Sequence, residues 1–363
     1  MRVAIVAPLV SAIREPQRGG SQAFLSGLAR GLAGRGHEVH LYAASGSHVP
    51  GVQVIDTGVD HHDLEATLYR PDGADGSSPA AERAFARVYA LVRERRYDIV
   101  HNHAFDAPAV TLASALGAPV VHTVHLPPDR EVAKALRQAA SGDRPPTVAC
   151  VSVAQASAWR EVVPVDAILP PYIPTAQIDF SPAGGSGAVF AGRLSPEKGA
   201  AEAIAIARIA GIRIDVFGDR YDAEYARARI DPMSAEPDVD VHPGVAQKVL
   251  WEAMARAAVV LCPAKWEEPF GMAAAEAQAC GTPVVAFRRG ALPEVIVEGV
   301  TGFLVTPDDL RAAAAAVRST PALSRSACRV HAESHLDVTR SLEVHEQLYE
   351  RLVGAALGTR TGG

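Results

Sequence analysis

Short apolar runs and amphipathic stretches alternate along this chain, stop at a proline cluster, and then start again. An apolar run at 3–7 leads to a predicted helix at 21–33, with Phe24, Leu28 and Leu32 on one face and Gly34 and Gly36 at its end. Further strands are expected at 39–43, 52–55, 98–101, 120–124, 148–151 and 167–169, with helices at 81–95 and 107–116. Pro170-Pro-Tyr-Ile-Pro174 and Ser181-Pro-Ala-Gly-Gly-Ser-Gly187 interrupt the pattern with linker composition. It resumes with strands at 188–191, 213–217, 239–242, 259–262 and 284–287, and helices at 197–210, 223–230, 247–257 and 272–279. Strands joined through helices pair in parallel, and a parallel sheet needs cover on both faces. The expected class is α/β: two doubly wound Rossmann-like domains facing a central cleft. The length of 363 residues agrees, because it exceeds what one hydrophobic core normally holds. The expected boundary separates 1–172 from 173–338. The less regular segment 57–79, with His61-His62, reads as a long surface loop or a partly helical insertion.

Hydrophobic residues make up 48% of the chain, enough to bury two cores. The net charge of -6 is spread without long runs, which argues against a nucleic-acid partner and gives no polybasic membrane footprint. Cys150, Cys262, Cys280 and Cys328 form no C-x-x-C pair and suggest neither a zinc site nor a disulfide framework. No apolar run is long enough to span a bilayer, and the start of the chain lacks a signal-peptide pattern. A cytoplasmic protein with no integral membrane segment is expected. Oligomeric state is not legible.

Two stretches carry chemistry. Phe190-Ala-Gly-Arg193-Leu-Ser-Pro-Glu-Lys198-Gly199 places two cations after a strand, where doubly wound sheets bind ligands. The planar fork of Arg193 suits phosphate oxygens, and Lys198 adds a point charge. Glu268-Pro-Phe-Gly271-Met-Ala-Ala-Ala-Glu276 places one carboxylate before a helix and one inside it, with glycine at the junction. The start of a helix attracts phosphate, and a carboxylate accepts hydrogen bonds from vicinal hydroxyls. Together these stretches can grip a nucleotide sugar. Glu267 is a rival to Glu268 for the first carboxylate.

Gly19-Gly20 opens the first helix but lacks both G-x-G-x-x-G and the P-loop lysine. His101 and His103 have H-x-H spacing without carboxylate or cysteine partners. Structural roles are expected for them and for His122. His125 ends an apolar strand and can donate to a sugar hydroxyl or a phosphate. His37 reads as structural. No G-x-S-x-G elbow supports a serine hydrolase.

With these residues in place, the chain resembles retaining glycosyltransferases of family 4, which have the two-domain fold called GT-B. The resemblance covers nearly the whole chain in order. It runs from Gly19-Gly20 and Arg35-Gly-His37-Glu-Val through the two stretches above. It continues with Cys280-Gly-Thr-Pro-Val284, Gly290-Ala-Leu-Pro-Glu294 and Glu298-Gly-Val-Thr-Gly302-Phe-Leu-Val305. It implies that Arg193 and Lys198 hold the donor diphosphate, Glu268 the sugar hydroxyls and Glu276 the ribose. Gly192 and the backbone amides of Phe270, Gly271, Met272 and Ala273 would also contact the donor. Gly20 would lie against the phosphates, Gly244 and Val245 near the base, and His125 would match the family histidine. A final helix, within about 339–363, would return to the N-terminal domain, which binds the acceptor, while the second domain binds the donor. The chain departs from the family pattern at Pro171-Tyr172 and at Pro263-Ala-Lys-Trp266.

The implied reaction moves a sugar from a nucleoside diphosphate to an acceptor with retention, needing neither cofactor nor metal. UDP is the first expected base, with GDP and ADP behind it. Neither acceptor nor sugar is named by the sequence. Arg14 to Gly20, the 57–79 segment and the loop after His125 are candidate acceptor contacts. The rivals are a nucleotide-sugar epimerase of the same fold, a dinucleotide-dependent oxidoreductase and a non-catalytic sugar-binding protein. The fingerprint glycines that an oxidoreductase would need are missing.

Overall fold

A computed structural model of the chain describes every residue except 18, 63, 65–77, 362 and 363, with side chains described as far as 357. Most of the 57–79 segment therefore lies outside the described residues. The chain divides into two compact units. The first takes Met1–Arg14, Ser21–Pro170 and the chain from Ser341 on, and the second takes Glu15–Gly20 and Pro171–Arg340.

The first unit carries β1 (Arg2–Val6), β2 (Glu38–Ala43), β3 (Gln53–Asp56), β4 (Ile99–Asn102), β5 (Val120–Val124), β6 (Thr147–Cys150) and β7 (Ala167–Ile168). All its pairings are parallel, in the order β3-β2-β1-β4-β5-β6-β7. Its helices are α1 (Gly20–Gly34), α2 (Pro79–Arg93), α3 (Ala107–Ala113), α4 (Arg130–Ala140) and α5 (Val153–Arg160). Val3 and Ile5 on β1 are fully buried, as a strand covered on both sides requires. Ser78 accepts from the Ala80 N–H and Pro79 opens α2, so local chemistry sets where that helix starts.

The second unit carries β8 (Ala188–Ala191), β9 (Ile214–Phe217), β10 (Val239–His242), β11 (Val259–Cys262), β12 (Val284–Phe287) and β13 (Gly302–Val305). They are parallel in the order β10-β9-β8-β11-β12-β13. Its helices are α6 (Ala200–Ala210), α7 (Ala223–Tyr225), α8 (Gln247–Arg256), α9 (Met272–Ala279), α10 (Leu292–Val295), α11 (Leu310–Ser319) and α12 (Arg325–His335). A last helix, α13 (Val338–Thr361), carries the chain into the first unit, where Ser341 donates to the Pro170 carbonyl at 2.7 Å.

The structure redraws some expected elements. The helix expected from 197 starts at Ala200, because a 3-10 turn at Pro196–Lys198 ends on Gly199 with φ 76°. The helix expected at 223–230 is one α turn followed by a π turn at Ala226–Ile230. Helices α4, α5, α10, α11 and α12 and strand β13 go beyond the elements expected from the sequence. All four cysteines are free, and Cys150, Cys280 and Cys328 are buried. No helix among the described residues is long and apolar enough to cross a membrane.

Candidate active site

In the second sheet the chain order reverses at β8, between β9 and β11. Ligands of doubly wound sheets bind beyond the carboxyl ends of strands at such a point. The β8 loop supplies Arg193 and Lys198, and the β11 loop supplies Glu268. Gly199 brings the two loops together. A Cβ there would stand 2.1 Å from the Pro263 carbonyl oxygen, and φ is 76°. Only glycine fits such an approach without strain. We expect Gly199→Ala to lower unfolding free energy by about 3 kcal/mol, combining left-handed strain with steric overlap. Urea titration measures it, and a loss below about 1 kcal/mol would contradict this packing.

Lys198 Nζ reaches Glu268 Oε1 at 3.1 Å and Oε2 at 2.8 Å. Trp266 adds two contacts. Its indole N–H donates to Glu268 Oε2 at 2.8 Å, and Lys198 Nζ lies 4.6 Å from its ring centroid. The two neighbouring glutamates have different partners. Glu267 accepts from the Gly290 N–H at 2.7 Å and pairs with Arg289 at 3.3 Å, so its carboxylate secures the adjacent loop. Glu268 meets Lys198.

Helix α9 begins at Met272 after Gly271, which has φ 99° and puts no side-chain cap on the helix. Gly271 O accepts from the Ala274 and Ala275 N–H groups inside the helix. The preceding Phe270 ring lies 6.2 Å from that of Tyr172, one of the two residues at the departure in the linker. Glu276 sits one turn into α9, 6% exposed. Its Oε1 accepts from the Trp251 indole at 3.1 Å and from Gln247 Nε2 at 3.4 Å. Burial pushes its carboxyl up to about 7, with nearby Glu15 adding to the rise and the two hydrogen bonds opposing it. Gly20 belongs to the short segment grouped with this unit, and a Cβ on it would lie 3.2 Å from Met272 Cγ.

Arg193 is not joined to Glu268. Its guanidinium donates to Glu197 Oε1 at 3.0 Å and lies 4.6 Å from the Tyr221 ring centroid. Gly192 continues β8, its N–H donating to the Phe217 carbonyl. Gly244 and Val245 lie in the loop after β10, where the Gly244 N–H donates to Asp219 at 2.9 Å. These residues therefore share the carboxyl edge of one sheet while using separate partners.

His125 stands at the carboxyl edge of the first sheet and is half-buried. Its Nε2 is 2.9 Å from His103 Nδ1. The His103 ring in turn lies tilted by 34° against that of His101, with centroids 3.9 Å apart, and His101 is held by the Tyr349 and Thr123 hydroxyls. Burial lowers the basicity of all three, and neighbouring histidines add to the effect. His122 hydrogen-bonds Asn102 at 2.8 Å. Among the described residues, Asp60, His61 and His62 form the group that brings three possible metal-ligating atoms within 4.8 Å, and the H-x-H pair is not in it. His37 pairs with Glu346 of α13 at 2.9 Å.

Four further residues complete the surroundings. Trp266 was visible only as a departure, and Trp251 lies too far from Glu276 in sequence for any spacing rule to pair them. Arg329 of α12 donates to the Ala279 carbonyl at 2.8 Å and to the Ile178 carbonyl at 2.7 Å. Arg325 donates to the Ala255 carbonyl at 2.8 Å and the Ala257 carbonyl at 2.9 Å. These cations satisfy carbonyls at the ends of α8 and α9, where helix dipoles favour positive charge.

The chain matches two family models: Glycosyltransferase Family 4 over residues 18–177 and Glycosyl transferases group 1 over residues 181–327. It is 30% identical over 359 residues to the D-inositol 3-phosphate glycosyltransferase of Mycolicibacterium paratuberculosis, covering 85% of this chain and 79% of the relative. It is 27% identical over 354 residues to the Arthrobacter enzyme of the same name, covering 84% and 83%. Among solved structures it is similar to sucrose-phosphate synthase from Thermosynechococcus elongatus, with TM-score 0.78, 19% identity and coverage of 98% and 100%. It is also similar to Anabaena Alr3699/HepE in complex with UDP-glucose, with TM-score 0.73, 19% identity and coverage of 96% and 100%. The structural likenesses establish the GT-B fold, and the sequence matches establish the class of reaction. The chain belongs to the family 4 glycosyltransferases.

Proposed function

We propose that the enzyme transfers a sugar from a nucleoside diphosphate sugar, UDP first among them, with retention at the anomeric carbon. The Lys198–Glu268 pair at the β8/β11 switch point carries this reading. A diphosphate offers Lys198 a replacement for its carboxylate partner, and sugar hydroxyls offer Glu268 a replacement for its ammonium. Arg193 and the start of α9 supply further positive charge for the leaving diphosphate. Gly192, Gly20 and the amides of Phe270, Gly271, Met272 and Ala273 would line its path, with Gly244 and Val245 near the base. Glu276 would take the ribose hydroxyls. His125, kept neutral, would donate to a hydroxyl or phosphate.

In this reading the diphosphate leaves first. The acceptor then attacks the oxocarbenium-like carbon from the same face, and a phosphate oxygen takes the acceptor proton. No side chain becomes covalently attached. Charge on the leaving group is met by the protein's own cations, with no metal called for. The complex of Alr3699/HepE with UDP-glucose supports UDP as the first base to try. The names of the relatives make inositol phosphate the first acceptor to try.

Calorimetric titration with UDP, GDP, ADP and NAD tests the reading. One nucleoside diphosphate should bind, and its affinity should rise between pH 6 and 8 relative to Glu276→Gln. The sign follows from the raised pKa: Glu276 becomes a carboxylate only as pH passes about 7, and the carboxylate is the better acceptor for the ribose diol. Binding of NAD alone, or a parallel pH profile in Glu276→Gln, would overturn the assignment.

A further inference from the structure

Two of the chain's three tryptophans donate their indole N–H to the two glutamates of the candidate site. Trp266 Nε1 lies 2.8 Å from Glu268 Oε2, and Trp251 Nε1 lies 3.1 Å from Glu276 Oε1. The third, Trp159, donates to the Leu126 carbonyl and belongs to the fold of the first unit. An indole nitrogen can only donate, so each contact requires a carboxylate oxygen in its acceptor form. An indole is also rigid, with few rotamers to lose, so it fixes the plane of the carboxylate it touches. Hydrogen bonds to charged groups are among the stronger ones.

We propose that Trp266 and Trp251 are positioning residues, each holding one oxygen of a glutamate so that the carboxylate is set for donor hydroxyls. The inference rests on the nucleotide-sugar reading above. Trp266 orients Glu268 for the sugar, and Trp251 orients Glu276 for the ribose. Trp266 has a second task, because its ring face carries the Lys198 ammonium at 4.6 Å. When phosphate draws Lys198 from Glu268, the same indole still holds both partners: the carboxylate by its edge and the ammonium by its face. The two tryptophans therefore act on different parts of the donor, and their substitution separates those parts.

The test uses the full chain with Trp266→Phe and Trp251→Phe, titrated with UDP, 2′-deoxy-UDP and UDP-glucose, or the matching series if GDP or ADP is the nucleotide bound. Phenylalanine keeps a ring face and removes the N–H. Trp266→Phe should leave UDP affinity within about twofold but weaken UDP-glucose binding relative to UDP about tenfold, the size expected for one hydrogen bond to a charged group. Trp251→Phe should weaken UDP about tenfold and remove the preference for UDP over 2′-deoxy-UDP. A loss of folding would weaken every ligand together and leave both ratios unchanged. Chains carrying β-(3-benzothienyl)alanine at either position keep the full ring and lack the N–H, so they give the same readings if a phenylalanine variant does not fold. Equal changes for every ligand, or none, overturn the inference while leaving the nucleotide-sugar reading intact. Failure of the unaltered chain to bind any of the three nucleoside diphosphates removes both.

Discussion

Replacing Arg193 by alanine is expected to slow sugar transfer about a hundredfold while the protein stays folded. Loss of one preorganised charge donor at a leaving group typically raises the barrier by about 3 kcal/mol. The fold should tolerate the change. Arg193 is partly exposed and its ion-pair partner Glu197 lies on the same loop. A surface pair of this type contributes at most about 1 kcal/mol to stability. Arg193→Lys should recover only part of the rate, since an ammonium lacks the planar fork that matches phosphate oxygens. Initial rates of donor consumption, with thermal melts of the same samples, measure both halves of the expectation. Full activity in a folded alanine variant would remove Arg193 from the site.

The second large effect is an acid-induced loss of stability. Burial holds His122 down to about 3 and His345 down to about 4, and it lowers His101 and His103 well below their ordinary value. Each is depressed in the folded state, so its contribution is complete above the unfolded value near 6.5. It is lost as pH falls from there towards the folded values, because the unfolded chain then binds more protons. At pH 5, His122 and His345 alone should each have lost about 2 kcal/mol. Glu276 works in the opposite direction. Its raised value of about 7 means that the folded state takes up a proton first, adding stability as pH falls from 7 towards 4.5. That is one carboxyl against several imidazoles, so the net slope should still favour unfolding. Urea titrations at pH 7.5 and 5 measure it. A flat profile would mean that the histidines are not held neutral, and His345→Gln should reduce the slope if they are.

The burial of these histidines shows where reading along the chain stops. H-x-H spacing at His101 and His103 gave no metal partners, and structural roles were the better expectation. Nothing local disclosed that His345 and Tyr349, from the far end of the chain, would join them. His101 lies 248 positions from the Tyr349 hydroxyl it meets. Trp251 lies 25 positions from Glu276, and Arg329 lies 154 and 151 positions from the Thr175 and Ile178 carbonyls, all beyond the reach of local spacing rules. Helices α11 and α12 were missed for a related reason. Leu310–Ser319 and Arg325–His335 bury small residues such as Ala313, Ala314, Cys328 and Ala332, so few large apolar side chains mark their inner face, whereas α1 buries Phe24, Leu25, Leu28 and Leu32.

By itself, the sequence determined the two rounds of strand and helix, the strands that would be buried on both faces, and the family to which the ordered motifs point. Those features are written in neighbouring residues, because periodicity, caps and glycine turns act over a few positions. The tertiary structure decided which side chains meet. It gave Lys198 to Glu268 rather than Glu267, since Gly290 and Arg289 claim the other carboxylate. It ended the turn at Gly199 where Pro263 leaves no room for a Cβ, and it set an indole against each of Glu268 and Glu276. Hydrogen bonds and charge pairs are satisfied by whatever atoms packing brings within about 3 Å, and closeness of that kind is set by how strands order in a sheet, not by spacing along the chain.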